Sequence, residues 1–236
     1  RQIYCCSRYD VLKEIKLNVR LVSYTQPTEE YKNEGLENVQ DLIAFCAKVS
    51  NPASQINKET SERLIKYLIK HQHWSPLEMA NAVMEIETTR DIAHQMVRHR
   101  SFAFQEFSQR YAEPSEMGNA FVMRKARLQD PKNRQNSVIT DDVNLHVAWE
   151  QHQRNVWAAA SNAYDWAIEN GIAKEQARAV LPEGLTLSKL YANGTLRSWV
   201  HYIELRSANG TQKEHMELAK ACGQAIAEVF PLAKDL

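Results

Sequence analysis

Residues 98–111 read RHRSFAFQEFSQRY. The stretch sets the permanent cations Arg98, Arg100 and Arg110 around His99, with the carboxylate Glu106 and the hydroxyl Ser108 among them. Three guanidiniums so near one another in sequence repel unless an anionic group sits among them. Their forks match phosphate and carboxylate oxygens, and their flat faces match conjugated rings. The stretch is either a salt-bridged turn on a solvated face, where isolated ion pairs contribute little, or a site for an anionic, hydrogen-bonding ligand. Phe102, Phe104, Phe107 and Tyr111, woven through the charges, argue against a merely solvated strip.

The neighbouring elements must hold these groups in place. Thr89–Val97 carries Ile92, Ala93, Met96 and Val97 at helical spacing, which on a continued helix turns Gln95, Arg98 and His99 in one direction. Downstream, an extended run would put Glu106, Ser108 and Arg110 on one face at period two. Further strands are expected at Val19–Tyr24, at Ala80–Thr88 with Ala82, Met84 and Ile86 on one face, and at Leu185–Ala192. Pro27–Gly35 reads as a polar loop, and Met123–Gln135 as a solvated basic one. Helices are expected over Leu36–Val49 and from Thr60, the latter with Leu64, Ile65, Tyr67 and Leu68 inward. Pro76 favours an extended residue before it.

Asp142–Asn170 reads as one long helix with a stripe of Leu145, Ala148, Trp149, His152, Val156, Ala159, Ala160, Ala163 and Ala167, closed by Gly171. Ala173–Leu181 is a short helix ended by Pro182. A helix through 193–206 puts Arg197 and His201 on one face and Arg206 roughly 180° away. The last helix, Thr211–Phe230, buries Leu218, Ala219, Cys222, Ala225, Ile226 and Val229. The fold class expected is α+β, a single domain of long helices packed on a mostly antiparallel sheet, with residues 1–18 as an N-terminal appendage to a 19–236 domain.

Composition narrows the function. With 29 basic and 29 acidic residues the net charge is zero, which counts against a general nucleic-acid or membrane-surface binder. No apolar run has the length of a membrane span, and no basic-then-apolar signal opens the chain. Cys5, Cys6, Cys46 and Cys222 form no C-x-x-C pair and no metal-ligand spacing with the eight histidines, as expected for reduced thiols in a cytoplasmic protein. None stands beside a second catalytic-looking residue, and no metal site is indicated. No G-x-G-x-x-G follows a strand, so a Rossmann dinucleotide site is not indicated.

The pattern R-H-R, seven residues, then S-x-R resembles the signature of the flavin-dependent thymidylate synthases. Arg98, His99, Arg100, Ser108 and Arg110 match it; Ala103 and Gln105 stand where the family has serine and asparagine. Further resemblances run from about Val19 to Phe230: His73-Trp74-Ser75-Pro76-Leu77-Glu78, Ala177-Arg178-Ala179-Val180-Leu181-Pro182, the 193–206 segment and GTQKEH. The resemblance implies FAD-dependent reductive methylation of dUMP to dTMP, with methylenetetrahydrofolate as carbon donor and NADPH as reductant. It implies hydride delivery by reduced flavin with no enzyme cysteine nucleophile, in a homotetramer whose sites are shared between subunits.

By that resemblance His73, Ser75, Arg98, His99, Arg100, Glu106, Thr195, Arg197 and His201 bind the cofactor. Gln95, Glu106, Ser108, Gln109, Arg110, Arg178 and Arg206 bind the nucleotide, with Arg206 on the uracil. Arg206 and Ser108 are the catalytic candidates. Ser108 is a nucleophile by type, yet no His–Asp pair lies in its motif to activate it, which points to binding. Competing readings are a flavoprotein reductase without methyl transfer and a non-catalytic RNA- or nucleotide-binding module using the basic 98–134 region.

Overall fold

The computed structural model describes residues 18–117 and 121–232. The expected 1–18 appendage, with Cys5 and Cys6, lies outside these residues apart from Asn18, which opens the first strand. In chain order the elements are β1 (Asn18–Tyr24), α1 (Glu29–Asn33), α2 (Val39–Ala47), α3 (Ser61–Lys70), β2 (Asn81–Thr89), α4 (Arg90–Met96) and β3 (Phe102–Glu106). There follow β4 (Arg127–Gln129), β5 (Ser137–Ile139), α5 (Val143–Glu169), α6 (Lys174–Ala177), β6 (Leu187–Thr195), α7 (Leu196–Ser207) and α8 (Lys213–Ala227). The expected α+β class holds: helices with an antiparallel four-stranded sheet of order β1-β2-β6-β3.

The described residues group into two compact units. A sheet unit holds 18–86, 96–105 and 190–232, and a long-helix unit holds 87–95, 106–117 and 121–189.

In the sheet unit, Ala82, Met84 and Ile86 line one face of β2 and are fully buried, as period two requires. Glu85, on the opposite face, is buried as well. Its carboxylate is bonded by Arg20 and accepts from Tyr191 Oη at 2.8 Å, so the buried charge is satisfied. The Phe102 ring of β3 lies so closely over Gly194 of β6 that a Cβ there would stand 2.5 Å from Phe102 Cε1. Any larger residue there would have to displace that ring.

The Asn38 side chain caps α2, accepting from the amides of Gln40 and Asp41. Helix α7 buries Trp199 completely, its indole donating to the Ala82 carbonyl at 3.0 Å, and packs against α8. Helix α8 buries Leu218, Cys222 and Ile226.

Three expectations fail in this unit. The Pro27–Gly35 loop contains α1. Tyr67 is 51% exposed, its ring lying against His71 instead of the core. Ser75 opens a 3-10 turn, Ser75–Met79, with Pro76 in its first turn, where a missing amide proton costs nothing.

In the long-helix unit, Asp142 caps α5 by accepting from Leu145 N at 3.0 Å, and Gly171 closes it at φ +73°. The buried face of α5 is Gln153, Trp157, Ala160, Ser161, Tyr164 and Ala167, so the expected stripe is corrected. Trp149 and Val156 from that stripe are 43% and 52% exposed. The reason is local satisfaction of a polar residue. The Gln153 amide closes on the Arg124 backbone at both ends, accepting at 2.8 Å and donating at 2.9 Å, while Trp157 stacks on Phe121 at 4.7 Å. The expected Met123–Gln135 loop contains β4, paired antiparallel with β5 in register Arg127↔Ile139.

Candidate functional site

Three segments far apart in sequence meet in the sheet unit: 73–78, 98–101 and 195–206. Thr195 caps α7, its Oγ1 accepting from Ser198 N at 3.2 Å, and Ser198 Oγ reaches the Ser101 carbonyl at 3.3 Å. Thr195, a cofactor candidate, thus accepts at the helix start, with Ser198 Oγ 3.1 Å from the same oxygen. Two residues on, Arg197 is ion-paired with Glu78. The next turn presents His201, edge-on to Trp74 with centroids 4.4 Å apart. These two contacts seat the 73–78 segment on α7; His73 and Ser75 in it are both exposed, and the His73 ring lies 6.2 Å from that of Tyr67. Arg197 Nε is buried without a partner, a donor left open.

Arg206 faces elsewhere, as its position on the helix requires. Its Nε donates to His99 Nε2 at 3.0 Å. His99 stands edge-on to Tyr202 at 5.0 Å between centroids, and Tyr202 Oη lies 3.2 Å from Nε2 of the fully buried His215. Burial first, and the Arg206 cation second, hold the His99 imidazole below its ordinary pKa. His215 is pushed down to about 3 by burial, with Arg206 and His99 adding to it. Burial also raises the Tyr202 hydroxyl well above its usual value. Among the described residues, Arg98, Arg100 and Arg206 form no ion pair with a carboxylate, and Arg98 and Arg100 are exposed.

The helix expected to carry Gln95, Arg98 and His99 on one face ends at Met96, and His99 N closes a turn on the Met96 carbonyl at 3.0 Å. The shared direction is thus corrected: Gln95 lies in α4, and Arg98 and His99 lie in the turn beyond it.

The long-helix unit holds most of the nucleotide candidates. Glu106 accepts from Ser188 Oγ at 2.7 Å, with Arg90 at 3.9 Å. Strand β3 stops at Glu106, and the Ser108 carbonyl then accepts from the amides of Tyr111 and Ala112, so the period-two face does not extend to Ser108 and Arg110. Ser108 Oγ accepts from Arg110 N at 3.4 Å and has no histidine or carboxylate partner among the described residues. Gln109 is buried with its Nε2 unpartnered. Arg110 pairs with Glu175 at 3.1 Å, one helical turn before Arg178. Arg178 is half-buried and forms no ion pair among the described residues. Arg124 closes on Asp91 at 2.7 Å and on Thr89 Oγ1 at 2.9 Å.

Sequence reasoning missed Trp74, Tyr202 and His215 as parts of the site. His215 had a readable signal: it falls on the same helical stripe as Leu218, Cys222 and Ile226. Tyr202 gave none, since its neighbours come from three separate segments. No cluster of metal-ligating side chains occurs among the described residues.

A family profile described as "Thymidylate synthase complementing protein" matches residues 20–232, which span both units. A probable flavin-dependent thymidylate synthase of Paramecium bursaria Chlorella virus 1 is 46% identical over 221 residues, covering 93% of this chain and 99% of that protein. A flavin-dependent thymidylate synthase of Synechocystis is 42% identical over 215 residues, covering 91% of this chain and 96% of that protein. The solved UMP/dUMP methylase PolB of Streptomyces cacaoi, bound with 5-Br dUMP, superposes with a TM-score of 0.78 at 24% identity, covering 95% of each chain, and shares the fold.

Proposed function

We propose, from the premise that this chain belongs to the flavin-dependent thymidylate synthase family, that it methylates dUMP to dTMP with methylenetetrahydrofolate as carbon donor and NADPH as reductant. The observation that carries this reading is Arg206, whose guanidinium is fixed through Nε by a neutral imidazole and carries no carboxylate ion pair among the described residues. An uncancelled, oriented fork suits a ligand with paired oxygens, such as the uracil edge or a phosphate.

The residues present fit an anionic cofactor. Arg98 and Arg100 lack carboxylate partners among the described residues, and the Arg197 Nε donor is buried and open. FAD, when bound, supplies the hydride. The chain's own task is then binding, orientation and electrostatics. Arg98, His99, Arg100, Arg197 and His201, with His73, Ser75, Thr195 and Glu106, hold the cofactor. Gln95, Glu106, Ser108, Gln109, Arg110, Arg178 and Arg206 hold dUMP. The open Gln109 amide supports a hydrogen bond to the nucleotide. Ser108, with no base on its hydroxyl, acts in binding.

Thiol attack finds no support in the described cysteines. Cys222 is fully buried and its thiol pKa is pushed far up by desolvation, and burial raises Cys46 as well. The assembly we propose is a cytoplasmic homotetramer with sites shared between subunits and no nucleic-acid or membrane partner. No helix among the described residues is long and apolar enough to cross a membrane.

The test is the visible spectrum of the purified protein under anaerobic conditions. Yellow protein that NADPH bleaches faster with dUMP, and that then forms dTMP only with methylenetetrahydrofolate, is expected. A flavoprotein that releases no deuterium from 5-deuterated dUMP would be a reductase without methyl transfer. Colourless protein that binds single-stranded RNA with steep salt dependence would refute the enzyme reading.

A further inference from the structure

His99 belongs to the motif assigned to the cofactor, yet its resolved bond is to Arg206. Arginine only donates. The Nε–H of Arg206 pointing at His99 Nε2 across 3.0 Å therefore requires that nitrogen to carry the lone pair and Nδ1 to carry the proton. We propose that His99 is a positioning residue: its neutral imidazole takes the Nε–H of Arg206 and aims the two free Nη groups at the nucleotide. The inference rests on the assignment of Arg206 to dUMP.

A neutral acceptor does what a carboxylate cannot. A glutamate or aspartate there would orient the guanidinium and also cancel its charge, competing with the oxygens of the ligand. An imidazole lone pair orients it and leaves the charge intact. The surroundings keep the ring neutral. On α7 it faces Arg206 and the Tyr202 ring, on α8 the buried His215, on β3 the Phe102 ring at 6.4 Å, and in its own turn Arg98 and Arg100. Within that set there are three cations, two aromatic walls, one neutral imidazole and no carboxylate. Of these neighbours the Arg206 cation disfavours an imidazolium directly, and no carboxylate stands among them to favour one. Burial and Arg206 lower its pKa accordingly. His215 and Tyr202 complete the arrangement: their 3.2 Å bond fixes the Tyr202 ring against which His99 stands.

Protonation of His99 would turn the bond into a cation–cation contact at the same distance. Nucleotide affinity is therefore expected to fall as pH drops below the ordinary imidazole range, on top of the titration of the dUMP phosphate itself. A non-titrating side chain that keeps an acceptor near the Nε2 position should lack that loss.

The experiment is calorimetric titration of dUMP into the FAD-loaded protein from pH 8 to pH 5, for wild type, His99→Gln, His99→Leu and Arg206→Ala. The phosphate titration is common to all and cancels in the ratio of affinities. His99→Gln should bind within about threefold of wild type at pH 8, and the wild-type to variant ratio of dissociation constants should rise at least about threefold as the pH falls from 8 to 5. His99→Leu should bind at least about tenfold more weakly at pH 8, as expected for loss of a charge-assisted bond. A ratio that stays flat with pH, or His99→Gln as weak as His99→Leu, would overturn the positioning role. Full affinity in Arg206→Ala would instead remove the premise, and weak binding in Arg206→Ala with unaffected His99 variants would remove the positioning role alone.

Discussion

Arg110 and Arg206 carry the same guanidinium and meet opposite partners. Arg110, in the long-helix unit, pairs with Glu175 at 3.1 Å, with both side chains about half exposed. Arg206, in the sheet unit, meets the lone pair of His99 inside a wall of Tyr202, Phe102 and His215. The contrast extends beyond the two residues. In the long-helix unit Arg90 and Arg124 also face carboxylates, Glu106 and Asp91. In the sheet unit Arg98, Arg100 and Arg206 face none among the described residues, although Arg197 has Glu78 and Arg20 has Glu85, and in the long-helix unit Arg178 forms no ion pair among the described residues. A paired arginine has its charge largely cancelled and serves to tie segments together. An arginine held by a neutral acceptor keeps its charge for something else.

The comparison can be sharpened by removing what supports each arginine. The largest effect is expected at Trp199, fully buried between Phe102 and Tyr202 and bonded to the Ala82 carbonyl. Trp199→Ala should cost about 3–5 kcal/mol in denaturant unfolding, the usual range for emptying an aromatic core position.

Next is the acid response set by His215. The folded protein resists protonating this ring, whose pKa is pushed down to about 3. Below pH ~6.5 the unfolded chain takes the proton and the folded one does not, so stability falls as pH falls, by up to ~1.4 kcal/mol per unit. Between pH 6.5 and 5, wild type should lose about 2 kcal/mol more than His215→Gln in urea unfolding. Equal losses would mean that the ring titrates freely.

The smallest effect belongs to the exposed pair. Glu175→Ala should change stability by less than about 1 kcal/mol, because solvent screens the Arg110–Glu175 attraction. A loss above about 2 kcal/mol would show that this pair is not the weak surface contact its exposure implies.

Much of the framework was readable because local pattern and tertiary packing agree. Alternation alone placed Ala82, Met84 and Ile86 inside β2, and helical spacing placed Leu218, Cys222 and Ile226 inside α8. Residue type alone singled out the 98–110 stretch, where Arg110 pairs with Glu175 while Arg98 and Arg100 form no ion pair among the described residues. What failed did so where a tertiary partner overrode the pattern. On α5 the apolar stripe through Trp149 and Val156 faces outward, because Gln153 finds both of its hydrogen bonds on the Arg124 backbone and turns that side of the helix inward. The helix before His99 stops at Met96, its last buried position, and so carries Arg98 and His99 off the face on which spacing would put them. The Arg206–His99 bond joins residues 107 apart in sequence, and no local periodicity encodes such a pairing.

The most direct test of the account is dUMP titration of FAD-loaded Arg206→Ala beside Arg110→Ala at pH 8. The freed charge of Arg206 predicts a loss of tenfold or more in its own variant, as for a charge-assisted bond, with the flavin absorbance per mole of protein unchanged and a smaller loss for Arg110→Ala. Wild-type dUMP affinity in Arg206→Ala would contradict it.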